Sequence, residues 1–310
     1  MKVLLTGGHG MLGTAIRKLQ PQYQPNWELV APTSRELNLL DREKTFKFIK
    51  DGKFDMIFTL AGKVGGLKSN IEERIGYMSE NFHINFNVIE AALEAGVPKL
   101  AYMATSCMYP KDFKPVLQEE DVLAGPLDPS NVGYALAKIS AAKLCELINE
   151  MHGLAYKTII PCNIYGPNDH FDPVRSHLLP AIILKVHDAK MKNAPSIEIW
   201  GNGLPRREFI YSEDIAKFLL QAADKIEQWD PMMNLGLDKD YSVNEYYQIV
   251  SEVLGYKGKF THNLDAPMGV MHKLVDCSRA KKFGWKAETS FEDGIRAAYD
   301  SFLTKQKKAA

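Results

Sequence analysis

The chain has 310 residues, 45% hydrophobic and 25% charged, with 38 basic and 38 acidic side chains. That balance describes a globular protein with ample length for a core, built as one large α/β domain with an appendage or as two domains. Zero formal net charge gives no bulk attraction to nucleic acid, no apolar run approaches the roughly 20 residues that span a bilayer, and the four scattered cysteines fit reduced thiols better than a disulfide frame or a metal site. The opening apolar stretch is too short for a signal-peptide core, so a cytoplasmic protein is expected.

Lys2-Val3-Leu4-Leu5-Thr6 reads as a short buried strand. It runs into Gly7-Gly8-His9-Gly10-Met11-Leu12-Gly13 and then into a helical pattern with Ala15, Ile16 and Leu19. Strand, glycine-rich turn and helix in that order are the context of a dinucleotide-binding fingerprint. The glycines let backbone approach a pyrophosphate, and the helix N-terminus favours its charge. A second strand is expected over 27–31. Where an NAD-binding chain carries an acidic residue, this one reads Ser34-Arg35-Glu36, and a basic and hydroxyl pair suits a 2′-phosphate. Arg35 as a plain solvated charge is an equal alternative.

An amphipathic helix follows over 42–50 with Phe46 and Ile49 inward, then a strand over 55–60 that ends in the small-residue loop 61–66. The next helix, 81–95, offers Phe86, Ile89, Ala92 and Leu93 for burial and Asn81, His83 and Asn85 as a polar face. A fourth strand, 99–104, delivers Thr105-Ser106-Cys107-Met108-Tyr109-Pro110 to the same sheet edge. After a long loop, a helix carries Tyr134-Ala135-Leu136-Ala137-Lys138. Tyr134 and Lys138 share one helical face. An ammonium there favours the phenolate, and a phenol of lowered pKa exchanges a proton with an alcohol or ketone near neutral pH. A hydroxyl from Thr105 would hold the carbonyl oxygen. Alone, Tyr-x-x-x-Lys is a common surface pair; the glycine loop upstream is what raises it to a candidate for hydride transfer at a sugar-like carbonyl.

A fifth strand, 156–161, completes an alternation of strands and helices that predicts an α/β fold with a doubly wound parallel sheet over 1–166. Residues 167–310 are expected to form a smaller, mixed substrate-binding lobe. It opens with a polar loop, 168–173, and carries helices near 177–190, 212–225, 243–254 and 291–302, a short strand over 196–200 and a returning strand near 231–235. The tail, 305–310, reads as a polar fray.

These motifs resemble the extended short-chain dehydrogenase/reductases. Within them, Lys63-Val64-Gly65-Gly66, Ser106 to Pro110, Cys162-Asn163-Ile164-Tyr165-Gly166-Pro167, Ser176-His177-Leu178-Leu179-Pro180-Ala181 and Arg207-Glu208-Phe209 resemble the GDP-L-fucose synthase family, epimerase/reductases of GDP-4-keto-6-deoxy-mannose. The resemblance covers most of the chain in order and spacing. It implies Thr105, Tyr134 and Lys138 as a reductase triad and Cys107 with His177 as the acid/base pair for epimerisation at C3 and C5. It implies NADP(H) held by Gly7, Gly10, Met11, Leu12, Gly13, Ser34, Arg35, Asn38, Leu39, Ala61, Lys138 and His177. Asn163, Lys185, Trp200, Arg207 and Lys273 fall where the family contacts its nucleotide sugar. Two departures bear on the cofactor: His9 stands in the glycine loop, and Ser34 after the second strand, where the family often has arginine. Outside this reading, a buried cysteine is usually inert and a helix-opening histidine is usually a cap. The rival functions are a 4-keto reductase or 4-epimerase acting on another nucleotide sugar, such as a heptose or colitose, and a non-catalytic nucleotide sensor. The resemblance also implies a homodimer through helices 81–95 and 134–150, with Phe82, Phe86, Ile139 and Leu147 at the contact, and neither nucleic-acid nor membrane partners.

Overall fold

The computed structural model describes residues 1–172, 176–266 and 270–309; Pro173, read as part of the polar loop, and Ala310, the last residue of the tail, lie outside them. The central sheet has β1 (Lys2–Thr6), β2 (Glu28–Val30), β3 (Met56–Thr59), β4 (Lys99–Met103), β5 (Ala155–Pro161) and β6 (Met232–Leu235), all paired in parallel in the order β6-β5-β4-β3-β1-β2. Helices cover both faces, so β3 and β5 are buried along their whole length and read as continuous apolar runs rather than alternating ones. Parallel pairing sends every strand's C-terminal end to one edge, where Thr6, Thr59 and Met103 lead into the loops that carry the motifs.

The helices between these strands are α1 (Met11–Tyr23), α2 (Arg42–Gly52), α3 (Arg74–Glu94) and α4 (Val132–His152). Asp41 opens α2 by accepting the Lys44 N–H at 3.1 Å, and Lys53 closes it in the left-handed region. α3 begins well before the expected 81, preceded by a short helix Leu67–Glu72. Asn81 and Asn85 do not form its solvent face: both are fully buried. They lie on the stripe that continues through Val88 and Ala92, which faces the core. Asn81 accepts the Lys63 N–H at 2.9 Å and donates to the carbonyls of Lys63 and Tyr77, while Asn85 donates to the Tyr102 hydroxyl. A buried amide needs partners, and Asn81 finds them in the loop after β3, which it fixes.

The remaining chain builds a second apolar cluster from α5 (Leu178–Met191), α7 (Val243–Leu254) and α8 (Phe291–Ala309); α6 (Ser212–Ala222) packs against α1 instead. A capping box between Ser242 and Glu245 opens α7, and Gly255 at φ +73° ends it. α8 runs to Ala309, so the expected polar fray is helical. Short strands stitch the lobe together: Asn163–Tyr165 with Phe209–Tyr211, Ser196–Trp200 with Lys259–Asn263, Arg206–Arg207 with Tyr241–Ser242, and Val116–Leu117 with Leu274–Val275.

Glu208 sits between two of these strands with no exposure, and its carboxyl accepts N–H groups from Leu237, Asp238 and Val275. Burial outweighs those three donors and raises its pKa from 4.5 to about 8. An acid raised by folding stabilises the fold fully below its unfolded value, and that contribution is lost as pH rises through the folded value. Glu208→Gln removes the titration, so the decline in urea-unfolding free energy between pH 5 and pH 8 should be shallower in the variant by roughly 1 kcal/mol or more. Identical slopes in the two proteins would show that Glu208 is ionised in the fold.

Candidate active site

The loop between β1 and α1 is shaped around backbone. Gly7 has φ +71°, and a Cβ on it would stand 2.8 Å from the Ala61 nitrogen; one on Gly13 would stand 2.3 Å from the Gly7 carbonyl oxygen. No side chain fits at either position. Gly10 donates its N–H to the Gly7 carbonyl at 3.0 Å and precedes α1 without a side-chain cap. The first-turn N–H groups of Met11, Leu12 and Gly13 therefore have no intrahelical partner and suit a diphosphate. Beyond β2, Thr33 donates both its N–H and its hydroxyl to Glu36, at 2.7 and 2.8 Å, and these bonds hold the Glu36 carboxylate below its usual range, with His9 adding to the effect. Ser34 and Arg35 are left exposed. Asn38 turns its side-chain oxygen to the Leu40 N–H, and the Leu39 carbonyl accepts from Asn87. These loops line the C-terminal edge from β2 to β3, where the backbone N–H groups opening α1 face no side-chain cap and the Glu36 carboxylate is engaged by Thr33.

Thr105 lies two residues beyond the end of β4. Its hydroxyl oxygen accepts the Cys107 N–H at 3.2 Å, capping the single 3-10 turn Ser106–Met108, and the same hydroxyl slightly offsets the rise in the Tyr134 pKa. Lys138, 3% exposed, donates to the Met103 carbonyl at 2.9 Å and lies 5.9 Å from the Tyr134 ring centroid. Residue 62 packs over it, a Cβ there falling 3.6 Å from Nζ. Burial lowers Lys138 from 10.5 to about 7. Burial also raises Tyr134, with Cys107 and Tyr77 adding to the effect. The phenol is therefore shifted opposite to the sequence expectation: in this site desolvation of both groups exceeds the attraction of a cation that is itself half discharged near neutral pH.

Cys107 is half-buried, whereas the other three cysteines are buried. It lies within electrostatic reach of both Tyr134 and Arg207. The Arg207 guanidinium donates to the carbonyls of Arg206 at 2.7 Å and Val270 at 2.5 Å, and burial pushes its pKa down. The Asn163 amide donates to the Glu208 carbonyl at 2.9 Å, next along the chain from Arg207. Lys185 stands 5.1 Å from the centroid of the half-exposed Trp200 ring. Lys273 is half-buried just before the Leu274–Val275 strand. His177 is the N-cap residue of α5, yet its ring makes no capping bond. It is half-buried, and burial with His170 beside it lowers its pKa.

Thr105, Cys107, Tyr134, Lys138 and Arg207 thus form one group, and Lys185 with Trp200 a second; no hydrogen bond joins His177 or Lys273 to either among the described residues. The support for the first group escaped the sequence reading. Tyr77 stands edge-on to Tyr134 at 6.2 Å and bonds Ser69 at 3.0 Å, and Asn81 fixes Lys63. The signal for Asn81 was present, since its register on α3 matches Val88 and Ala92; nothing in the sequence marked Tyr77.

Residues 3–236 match the model of the NAD dependent epimerase/dehydratase family. A GDP-L-fucose synthase of Azorhizobium caulinodans is 41% identical over 303 residues, which are 98% of this chain and 96% of the relative. A GDP-L-colitose synthase of Yersinia pseudotuberculosis is 40% identical, covering 99% of each chain. Among solved structures, a GDP-mannoheptose C4 reductase from Campylobacter jejuni with NADP bound superposes with a TM-score of 0.87 at 30% identity, over 97% of this chain and 98% of that one. The glycine cradle, the six-stranded parallel sheet and these similarities place the chain in the NAD dependent epimerase/dehydratase family, as an extended short-chain dehydrogenase/reductase.

Proposed function

We propose that this protein is an NADPH-dependent epimerase/reductase that converts GDP-4-keto-6-deoxy-D-mannose to GDP-L-fucose. The observation that carries the reading is Cys107, a half-buried thiol on the turn capped by Thr105 and within electrostatic reach of Tyr134 and Arg207. The fucose and colitose synthases among its relatives support a GDP-sugar substrate.

Arg207, with Lys273, neutralises the diphosphate, and Lys185, Trp200 and Asn163 flank the nucleotide sugar. Thr105 and Tyr134 hold the C4 carbonyl oxygen, which makes the C3 and C5 protons acidic because the enolate charge rests on that oxygen. Cys107 removes such a proton, and His177 returns one from the other face. The glycine loop and the start of α1 would hold NADPH, which would supply the hydride for C4. Tyr134 then gives the alkoxide its proton; a phenol raised by burial stays protonated at neutral pH and is set to donate. A second reading, C4 reduction without epimerisation, is favoured by the likeness to the heptose C4 reductase.

We also propose a homodimer. Ile75, Met78 and Phe82 of α3 and Leu136, Leu147 and Met151 of α4 are exposed apolar residues on two helices that pack together, with Phe86 half-buried beside them. Ile139, expected at this contact from the sequence, is only 4% exposed and packs into the core.

Incubation with GDP-4-keto-6-deoxy-mannose and NADPH in D₂O should yield GDP-L-fucose deuterated at C3 and C5, read by NMR. Cys107→Ser should abolish that exchange while leaving the ketone reducible, and Tyr134→Phe should lower hydride transfer about 10²-fold or more with NADPH still bound. A reduced product without deuterium at those carbons would favour the second reading. Arg35→Ala should weaken NADPH binding several-fold and leave NADH unchanged; equal losses would remove Arg35 from the 2′-phosphate. Light scattering at micromolar protein should give a dimer mass that Phe82→Glu with Leu147→Glu converts to a monomer, and a monomeric parent refutes the interface.

A further inference from the structure

Residues 270–273 cross the junction between the loop that runs on from Cys107 and the substrate lobe, and each contact they make is to one of those two sides. The Val270 carbonyl accepts from Arg207, and the Met271 carbonyl accepts the Arg206 N–H at 2.8 Å. The Met271 N–H reaches Asp112 at 3.4 Å. His272 meets both sides at once: Nδ1 is 2.9 Å from the Pro115 carbonyl oxygen, and Nε2 is 2.9 Å from Asp240 Oδ2.

Both of those partners are acceptors. A neutral imidazole has one N–H and can serve one of them; the cation has two and serves both. Asp240 is 9% exposed, and its other oxygen already accepts Arg206 Nε at 2.7 Å. Oδ2 is buried, and its short contact with Nε2 is an ion pair when the ring is charged. Loss of the proton leaves a ring lone pair against either a carbonyl or a buried carboxylate oxygen. The charged groups around the ring come from three directions: Lys273 beside it, Asp112 and Lys114 from the preceding loop, and Arg206, Asp240 and Glu245 from the lobe. Lys114 is paired with Asp121, and Glu245 with Arg206. The cationic ring therefore balances a cluster in which Arg206 faces two carboxylates.

We infer that His272 is a positioning residue: its protonated ring latches segment 270–273 across the two sides and so holds Arg207 and Lys273 in place for the diphosphate of the nucleotide sugar. The inference rests on the proposed role of Arg207. The charged ring closes the latch, and loss of its proton opens it. Sugar-nucleotide affinity falls with it, while cofactor affinity, set at the glycine loop, does not.

The test compares the parent with His272→Gln, neutral throughout, and His272→Arg, charged throughout and able to donate to both partners. Hydrogen exchange of the peptide covering 270–275, corrected for intrinsic rates, is read at about pH 6 and about pH 8.5, and GDP and NADPH affinities are read by calorimetry at the same values. The parent should lose about fivefold in protection and in GDP affinity between the two values, His272→Gln should be weak at both and His272→Arg strong at both, with NADPH affinity alike in all three. Glu208 titrates in all three proteins, so the differences between them isolate the ring. Equal protection in the three proteins overturns the latch. Protection that follows the charge of residue 272 while GDP affinity stays flat supports the latch and overturns the placing of the diphosphate at Arg207.

Discussion

Lys138 is an ammonium-bearing side chain with 3% exposure, and its one hydrogen bond is to the last carbonyl of β4. Removing a charge from water is costly unless it is compensated, and the compensation here is partial, which is why the group is held near neutrality. Much of the site is arranged around that condition. The loop after β3 lies over the amine, Asn81 fixes that loop from beneath, Tyr77 stands against Tyr134, and Thr105 reaches the same phenol from β4. With Lys138 lowered to about 7 and Tyr134 raised, burial moves both groups towards their uncharged forms.

A second set of buried polar contacts ties this centre to the lobe. The Tyr109 hydroxyl donates to Asn234 at 2.6 Å, the Asn234 backbone N–H reaches Glu119 at 2.8 Å, and its side-chain amide reaches the Leu117 carbonyl. Tyr109 lies two residues beyond Cys107, and Asn234 is on β6. The turn that presents Cys107 is thus fastened to a strand that enters the sheet only after α5 and α6 have been threaded. Together with Glu208, these contacts make the relative placement of the two apolar clusters a matter of a few satisfied, water-free hydrogen bonds.

The parallel sheet and the order of its motifs were legible because both rest on local signals: a strand's apolar run, a glycine turn that no side chain can enter, and a tyrosine and lysine one turn apart. The early start of α3 and the helical tail were missed because helix ends are weakly marked in sequence. Asn81 and Asn85 were assigned to solvent because asparagine is polar, although their register with Val88 and Ala92 pointed inward; tertiary partners decided the matter. Ile139 was misplaced for the related reason that both faces of α4 are apolar, so its pattern does not distinguish the face packed on the sheet from the face left open. The direction of the Tyr134 shift depends on how far both groups are desolvated, a property of the folded environment that no spacing encodes.

The sheet is closed by a strand that arrives late. β5 is buried along its length, and the neighbour on its outer side, β6, begins at Met232, after α5, α6 and the short strands between them. As the chain leaves the ribosome, the first five strands can assemble while β5 remains an open, wholly apolar edge with unpaired backbone groups, the kind of surface that recruits strands from other molecules. The interval lasts for the synthesis of about 70 residues, several seconds at ordinary elongation rates. Covering of that edge by a chaperone, or early collapse of α4 and the Val116–Leu117 segment near it, therefore bears on yield, and a chain cut short within the lobe is left with an aggregating edge rather than a separate cofactor-binding domain.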